Sequence, residues 1–520
     1  MHAWKIAIGL TCVVAGLAGA SPVCGADAQA SGPKLDATVR IDLAEPVTTD
    51  FLGIGVQWTS YPWFELSTAD WEKVTRRVEF LRLPLSRVMI DAFWYWRGFD
   101  DDGQPILDWD TPYMDKLHQL LDFCQRNGTT VLLGEWNHPC GEGVTLASAD
   151  PRWTTLVGHS LQHFLRGRKY SCIRYYNLIN EPHGSWSNIT PEDWRTALLN
   201  LERELGAREF DKDVKIAAPD GDRDLTTRSL RDADLRRLTG IYDEHWYVFR
   251  EEIRRGLLEL YAREQLRQIH RADPGKPFIL GELGIMDGKT ERDQNPDVFR
   301  FWYGLAMADA VVQALRAGVS GVIAWDLDDA MYFLGDGEEY MNALNDKLPD
   351  DAYERRKIWG MWNILGAEHG HPEEEQLRPW FFSWAVLART FPAGCEPVEV
   401  GATGIPGLRV AAARLPSGGY SIAIVNHDRW ARRLRLVAPA ATEAVVLDEW
   451  KYIDADGDDR VDCWPVTIDA AGRDVFPRPV GQRTDVRLAD GLTLDVPAGA
   501  LLVLTTGLEA AAPAAPVSSK

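Results

Sequence analysis

Between about residues 51 and 390 the chain alternates short apolar runs with stretches whose apolar residues recur at helical spacing. The runs are "FLGIGVQW", "LSRVMID", "TVLLGEW", "YYNLIN", "VKIAAPD", "TGIYDEHW", "FILGELG" and "GVIAWDL". Most are apolar on both faces, as strands in a parallel sheet covered by helices are. The clearest helix is "TPYMDKLHQLLDFCQRNG", with Pro112 in the first turn, Met114, Leu117, Leu121 and Cys124 on one face, and Gly128 as the stop. Another opens at "TPEDW", where Thr190 caps, Pro191 takes the first position and Asp193 stands where a capping box wants an acid. Strand and helix units of this kind, eight times over, predict an α/β fold of the (β/α)8 or TIM-barrel type, with its chemistry at the strands' carboxyl ends. An open doubly wound sheet is the alternative, but neither GxGxxG nor GxxxxGK[ST] follows any run.

Beyond residue 390 the pattern shortens to alternating stretches such as "GLRVAAARL", "YSIAIVNH" and "RLRLVAP", broken by Gly, Pro and Asp. A small antiparallel β-sandwich domain over 391–508 is expected. The stretch "ATVRIDL" within 31–50 also alternates and is a candidate extra strand of that domain. The Ala, Pro and Ser tail, 509–520, has the composition of a disordered segment. Residues 1–30 read as a signal peptide and leader: Lys5, then the run "IAIGLTCVVAGLAGA", then small residues offering cleavage after Ala20, with later options after Ala28 or Ala30. A secreted protein, extracellular or periplasmic, is therefore expected.

Composition narrows the partners. Acidic residues number 77 against 56 basic, a net charge of −21, which speaks against nucleic acid and anionic membranes. No segment after the leader could span a bilayer. A neutral ligand and a monomer are expected. There are 21 Trp, whose flat faces suit sugar rings as well as cores. Trp58, Trp136, Trp186 and Trp246 follow run ends and are candidate sugar platforms. Cys395 and Cys463 lie in the same late segment and could pair, and Cys124 reads as a core thiol. No CxxC spacing suggests structural zinc, and no metal or cofactor is called for. Asp454, Asp456, Asp458 and Asp462 fall at alternate positions of a calcium-loop pattern, but its Gly is misplaced and Pro465 replaces its Glu, so an acidic turn is expected.

The chemistry lies at the run ends. The fourth delivers Asn180 and Glu181 ahead of Pro182, which stops a strand. The seventh delivers Glu282 between glycines. Two carboxylates at one barrel mouth suit glycoside cleavage, in which one protonates the leaving oxygen while the other attacks the anomeric carbon. Glu135, at the third run's end, is a competing carboxylate outside any Asn-Glu-Pro context. Asp326, Asp328 and Asp329 after the eighth run read as a solvated loop.

With these residues the chain resembles the clan A (β/α)8 glycoside hydrolases, most closely family 5, with some likeness to families 30 and 39. The resemblance covers the barrel. It implies Glu181 as acid/base and Glu282 as nucleophile. It further implies substrate-binding or orienting roles for Arg87, His138, Asn180, His245 and Tyr247, and for Trp325 as a subsite floor. Arg174 departs from the family 5 signature, which has an aliphatic residue there. Arg87 and Tyr247 are expected to hold the Glu282 pKa down, and burial beside Glu282 to raise that of Glu181. The expected function is retaining hydrolysis of a β-linked oligo- or polysaccharide; the alternative is a carbohydrate-binding protein on a barrel that has lost catalysis.

Overall fold

The computed structural model describes residues 34–507 apart from 60, 62–65, 137–139, 142–143, 183, 185–188, 330–351, 465–466 and 471. All eight apolar runs contribute strands to one closed barrel. They are β1 (Gly53–Gln57), β2 (Leu85–Ile90), β3 (Thr130–Glu135), β4 (Ile173–Asn177), β5 (Lys215–Gly221), β6 (Thr239–Val248), β7 (Phe278–Ile285) and β8 (Gly321–Ala324). Each pairs in parallel with the next, and β8 closes on β1. A helix follows every strand. The first few start where the sequence supplies a side-chain acceptor for orphan N–H groups: Ser67, Thr111, Asp150, Thr190 and Asp222 each cap, at about 1 kcal/mol apiece. Pro112 and Pro191 open their helices as expected, and Gly128 ends the second at a φ of 69°. Asp193 accepts from the Thr190 hydroxyl at 2.9 Å.

Period-two alternation fills the barrel from floor to mouth. Leu85, Leu132, Ala217, Ile241, Ile279 and Ile323 form an apolar floor. On β6 the same face continues upward as Asp243, His245 and Tyr247, so one strand carries a polar column from floor to mouth.

Two short ribbons pair Trp96–Phe99 with Pro105–Leu107 and Cys140–Gly141 with Val144–Thr145, and nine further strands form a mostly antiparallel sheet that packs on itself as two layers. Its pivot is the strand Ala37–Pro46. Ala37–Arg40 pairs in parallel with Arg432–Val437, while Ile41 and Asp42 pair antiparallel with Glu396–Val400. Between the layers lies a core of its own, including Val39, Ile41, Val410, Ile422, Leu434, Leu494 and Leu502. The opposite face, with Ala411, Ala423, Trp450 and Val503, joins the barrel's core against the helices Phe301–Ala317 and Pro379–Thr390. Arg409 donates to buried Asp309 of the first of these helices at 2.6 Å, and the Tyr452 hydroxyl donates to the Phe301 carbonyl at 2.8 Å. Barrel and sheet therefore share one continuous apolar interior.

Cys395 and Cys463 are separate thiols rather than a bridge, and Cys124 is a buried core thiol. Asp454 accepts from the backbone of Gly457, Asp458 and Asp459, the pattern of a self-capped acidic turn. No helix among the described residues is long and apolar enough to cross a membrane. The leader and the tail lie outside the described residues.

Candidate active site

Arg87, projecting from β2 into the barrel, is fully buried and organises the mouth. Its Nη1 donates to Oε1 of Gln57 at 2.6 Å and to Oε1 of Glu282 at 2.7 Å. Its Nη2 donates to Oδ1 of Asn180 at 2.8 Å and to Oδ2 of Asp220 at 2.7 Å. One guanidinium thus binds groups from β1, β5, β7 and the loop after β4. Burial disfavours its charge, but Asp220, Glu282 and Asp243 more than compensate and raise its pKa.

The strand ladder of β4 stops at Asn177, earlier than Pro182 requires. Asn177 turns its Oδ1 onto the N–H of Ile179 at 3.1 Å. The chain then bends across the barrel rim. The N–H of Asn180 donates to the Glu135 carbonyl at 2.9 Å, and that of Glu181 to the Asp220 carbonyl at 3.0 Å. Glu181 sits at a φ of +42°, the left-handed region uncommon for a side-chain-bearing residue and frequent at functional sites. Its side chain is 16% exposed, against 5% for Glu282. Glu181 is the carboxylate open to solvent and Glu282 the one held within.

His245 lies between them. Its Nδ1 is 2.8 Å from Oε1 of Glu181 and 3.6 Å from Oε2 of Glu282, and its Nε2 is 3.2 Å from Oδ1 of Asp220. The Tyr247 hydroxyl donates to Oε2 of Glu282 at 2.6 Å. One carboxylate oxygen each of Glu181 and Glu282 and a ring nitrogen of His245 lie within 4.8 Å of one another. Such a set can ligate a divalent metal, but here its lone pairs already face Arg87, Tyr247 and His245.

The charges are set by burial against contact. Burial raises the Glu282 pKa, His245 and Arg87 lower it, Glu181 raises it, and the balance lies above the ordinary carboxylate value. This departs from the sequence expectation that Arg87 and Tyr247 hold it down, because desolvation is the larger effect. Burial would neutralise His245, but Glu282 and Asp220 raise its pKa well above the ordinary imidazole value. Burial opposes the Asp220 charge too, yet Arg87 and His245 pull its pKa down. The pKa of buried Asp243 is pushed well above the ordinary carboxylate value by burial and by Asp220.

The structure brings together Arg87, Asn180, Glu181, His245, Tyr247 and Glu282. His138 falls outside the described residues, as does Trp186. Trp325 stands at the end of β8, mostly buried, with Trp136 edge-on at 6.1 Å. Trp58 packs on Trp71 and Phe123, and Trp246 on Phe278, so these two are core residues and not platforms. Glu135 accepts from the Tyr176 hydroxyl, away from the mouth, and burial raises its pKa to about 8. Its carboxyl does not join the Glu181, His245 and Glu282 cluster. Asp326, Asp328 and Asp329 are buried rather than solvated. Asp329 accepts from Arg378 and from the N–H groups of Trp359 and Gly360, and Asp328 from Trp362 and the N–H of Ile364, anchoring the segment that returns after residue 351.

Sequence reasoning missed Asp220, Gln57 and Asp243. Asp220 ends the fifth apolar run as Glu282 ends much of the seventh, and Asp243 falls on the same alternate positions as His245; both signals were present.

Scanned against family models the chain matches none, and no curated protein is similar to it in sequence. Solved structures are similar in fold. The catalytic domain of the family 30 xylanase C from Talaromyces cellulolyticus superposes with a TM-score of 0.60 at 12% identity, covering 90% of this chain and 100% of that one. A family 39 β-xylosidase from Caulobacter crescentus gives 0.57 at 14% identity, covering 90% and 99%. The family 51 arabinofuranosidase from Xanthomonas axonopodis pv. citri gives 0.59 at 13%, covering 91% and 100%. This chain has the barrel-plus-β-domain fold of clan A glycoside hydrolases along nine-tenths of its length.

Proposed function

We propose that the protein is a secreted retaining glycoside hydrolase acting on a β-linked oligo- or polysaccharide. The observation that carries this is the approach of the Glu181 and Glu282 carboxylates, with oxygens within 4.8 Å across the barrel mouth. Retaining enzymes place their carboxyl groups about 5–5.5 Å apart, and inverting ones leave about 6.5–9.5 Å for a water. Glu282, steadied by Arg87 and Tyr247, attacks the anomeric carbon and forms a glycosyl ester. Glu181, the more exposed carboxyl, gives its proton to the departing oxygen. In the second half Glu181 takes a proton from water, which attacks the same carbon and frees Glu282. Asn180, held by Arg87, is placed to hydrogen-bond the sugar 2-hydroxyl, a contact that strengthens in the transition state. The leader supports export, and the acidic chain supports a neutral substrate.

A xylanase, a β-xylosidase and an arabinofuranosidase share the fold, so xylosides and arabinofuranosides head the substrate panel. The test is trapping with 2-fluoro-sugar fluorides on that panel, followed by peptide mass mapping. The sugar is expected on Glu282, and NMR of the first product formed is expected to show the same anomeric configuration as the substrate. Label on another residue, or an inverted product, overturns the mechanism. Sugar binding without turnover across the panel supports the carbohydrate-binding alternative.

A further inference from the structure

Asp220 has no part in the two-carboxylate scheme, yet it touches both halves of the site. It accepts from Arg87 with Oδ2 at 2.7 Å and faces Nε2 of His245 with Oδ1 at 3.2 Å. The other ring nitrogen, Nδ1, is 2.8 Å from Oε1 of Glu181. An imidazole with carboxylates on both nitrogens satisfies both only when each nitrogen carries a proton. A neutral ring donates to one partner and accepts from the other. With Nε2–H committed to Asp220, Nδ1 is the nitrogen left to exchange a proton with Glu181.

We propose that Asp220 is a positioning residue that makes His245 and Glu181 share one catalytic proton. This rests on the reading of Glu181 as the acid/base. In one form the proton is on Nδ1, with imidazolium facing two carboxylates. In the other it is on Glu181, which donates to neutral Nδ1 while Nε2–H still points at Asp220. In the first chemical step that proton leaves the pair for the glycosidic oxygen. In the second, water returns one proton to the pair as its oxygen bonds the anomeric carbon, so the count closes over a turnover.

Most of the charged and titratable groups around the ring favour its protonation. Glu181, Asp220 and Glu282 lie within 3.6 Å of its nitrogens, and Asp243 offers an oxygen to the same cluster. Arg87 is the opposing cation, but both of its ion-pair contacts are to Asp220 and Glu282. Tyr247 on the same strand donates to Glu282. The raised pKa of His245 agrees with this arrangement. Glu282 is the larger charge favouring the proton on the ring, and Asp220, facing Nε2, acts with it to keep the shared proton in place as pH rises.

The test compares wild type with Asp220→Asn, which keeps hydrogen-bonding atoms but removes the charge. The alkaline limb of kcat/KM is expected to move down by about one pH unit or more. Glycosides with poor, alkyl leaving groups should lose more rate than dinitrophenyl glycosides, since only the former need the proton. In a His245→Gln background Asp220→Asn should no longer move the limb. Independently of any turnover, 15N-histidine NMR of the full chain, with His245→Gln used for assignment, should show Nε2 of His245 protonated in wild type from about pH 5 to 9. An unmoved alkaline limb in an active Asp220→Asn protein overturns the proposal. So does the same shift without His245, or a wild-type His245 whose Nε2 is bare at neutral pH. Failure of the substrate panel leaves the NMR result standing, so the two readings fail separately.

Discussion

Gly281, immediately before Glu282, leaves its side-chain space to Asp243: a Cβ there would stand 1.9 Å from Oδ1 of that buried carboxyl. The two cannot coexist without movement of β6 or β7, which carry His245 and Glu282. Gly281→Ala is therefore expected to destabilise by about 1–3 kcal/mol and to lower kcat at least tenfold, about 1.4 kcal/mol of barrier. Thermal melting and steady-state kinetics check both. Unchanged activity would show that this corner of the barrel yields freely.

Tyr247→Phe removes one charge-assisted hydrogen bond to Glu282. Such bonds contribute about 1.5–3 kcal/mol, so kcat/KM is expected to fall about 10- to 100-fold. The phenol lowers the Glu282 pKa, and its loss must raise it. The acid limb of the pH–rate profile should then move to higher pH, and a limb that stays put or moves down would contradict the nucleophile assignment.

Glu135 makes a stability prediction with a definite sign. Its folded pKa is about 8 against 4.5 for the free group, through burial. Between those values the folded state binds more protons than the unfolded state, so stability falls as pH rises. Asp328, also at about 8, acts the same way. Glu135→Gln keeps an acceptor for Tyr176 and cannot ionise. Its melting temperature relative to wild type should therefore be higher at pH 9 than at pH 5, and a pH-independent difference would refute the charge argument.

Asp309→Ala leaves the Arg409 guanidinium without its carboxylate between barrel and sheet. Removing one partner of a buried pair costs about 3–5 kcal/mol. Urea unfolding should shift to lower denaturant as a single transition seen by both far-UV CD and Trp fluorescence. Two separated transitions would mean that barrel and sheet melt independently.

The barrel was legible because both its periods are regular: all eight runs became strands, and the caps at Thr111 and Thr190 began helices where the residues required. The sheet was less so. Val445–Ile453 carries Asp448, Glu449 and Lys451, which blur its alternation, and Gly481–Val486 is an edge strand, polar on both faces as exposed edges are. In the site, Glu181 and Glu282 were found from their strand ends. Asp220 was passed over because an Asp after Pro reads as a turn. The cluster Asp326, Asp328 and Asp329 misled for a related reason: polar runs look solvated until the backbone N–H groups that need them are placed beside them in space. The direction of the Glu282 shift was equally hidden, since burial depends on what closes over a residue.

The strand Ala37–Pro46 holds hands with Arg432–Val437 on one side and Glu396–Val400 on the other. It leaves the ribosome some 350 residues before the first of these partners, as the pairing of Ile41 with Val400 requires. Until they arrive it is a bare ribbon edge, open to any wrong neighbour. The barrel is thus a bead threaded through a clasp whose second half is synthesised after it. A chain cut after Thr390 would keep every barrel strand and helix yet strand both this ribbon and the apolar backs of Phe301–Ala317 and Pro379–Thr390 in water, so protease nicking near that point should precipitate the barrel rather than release it.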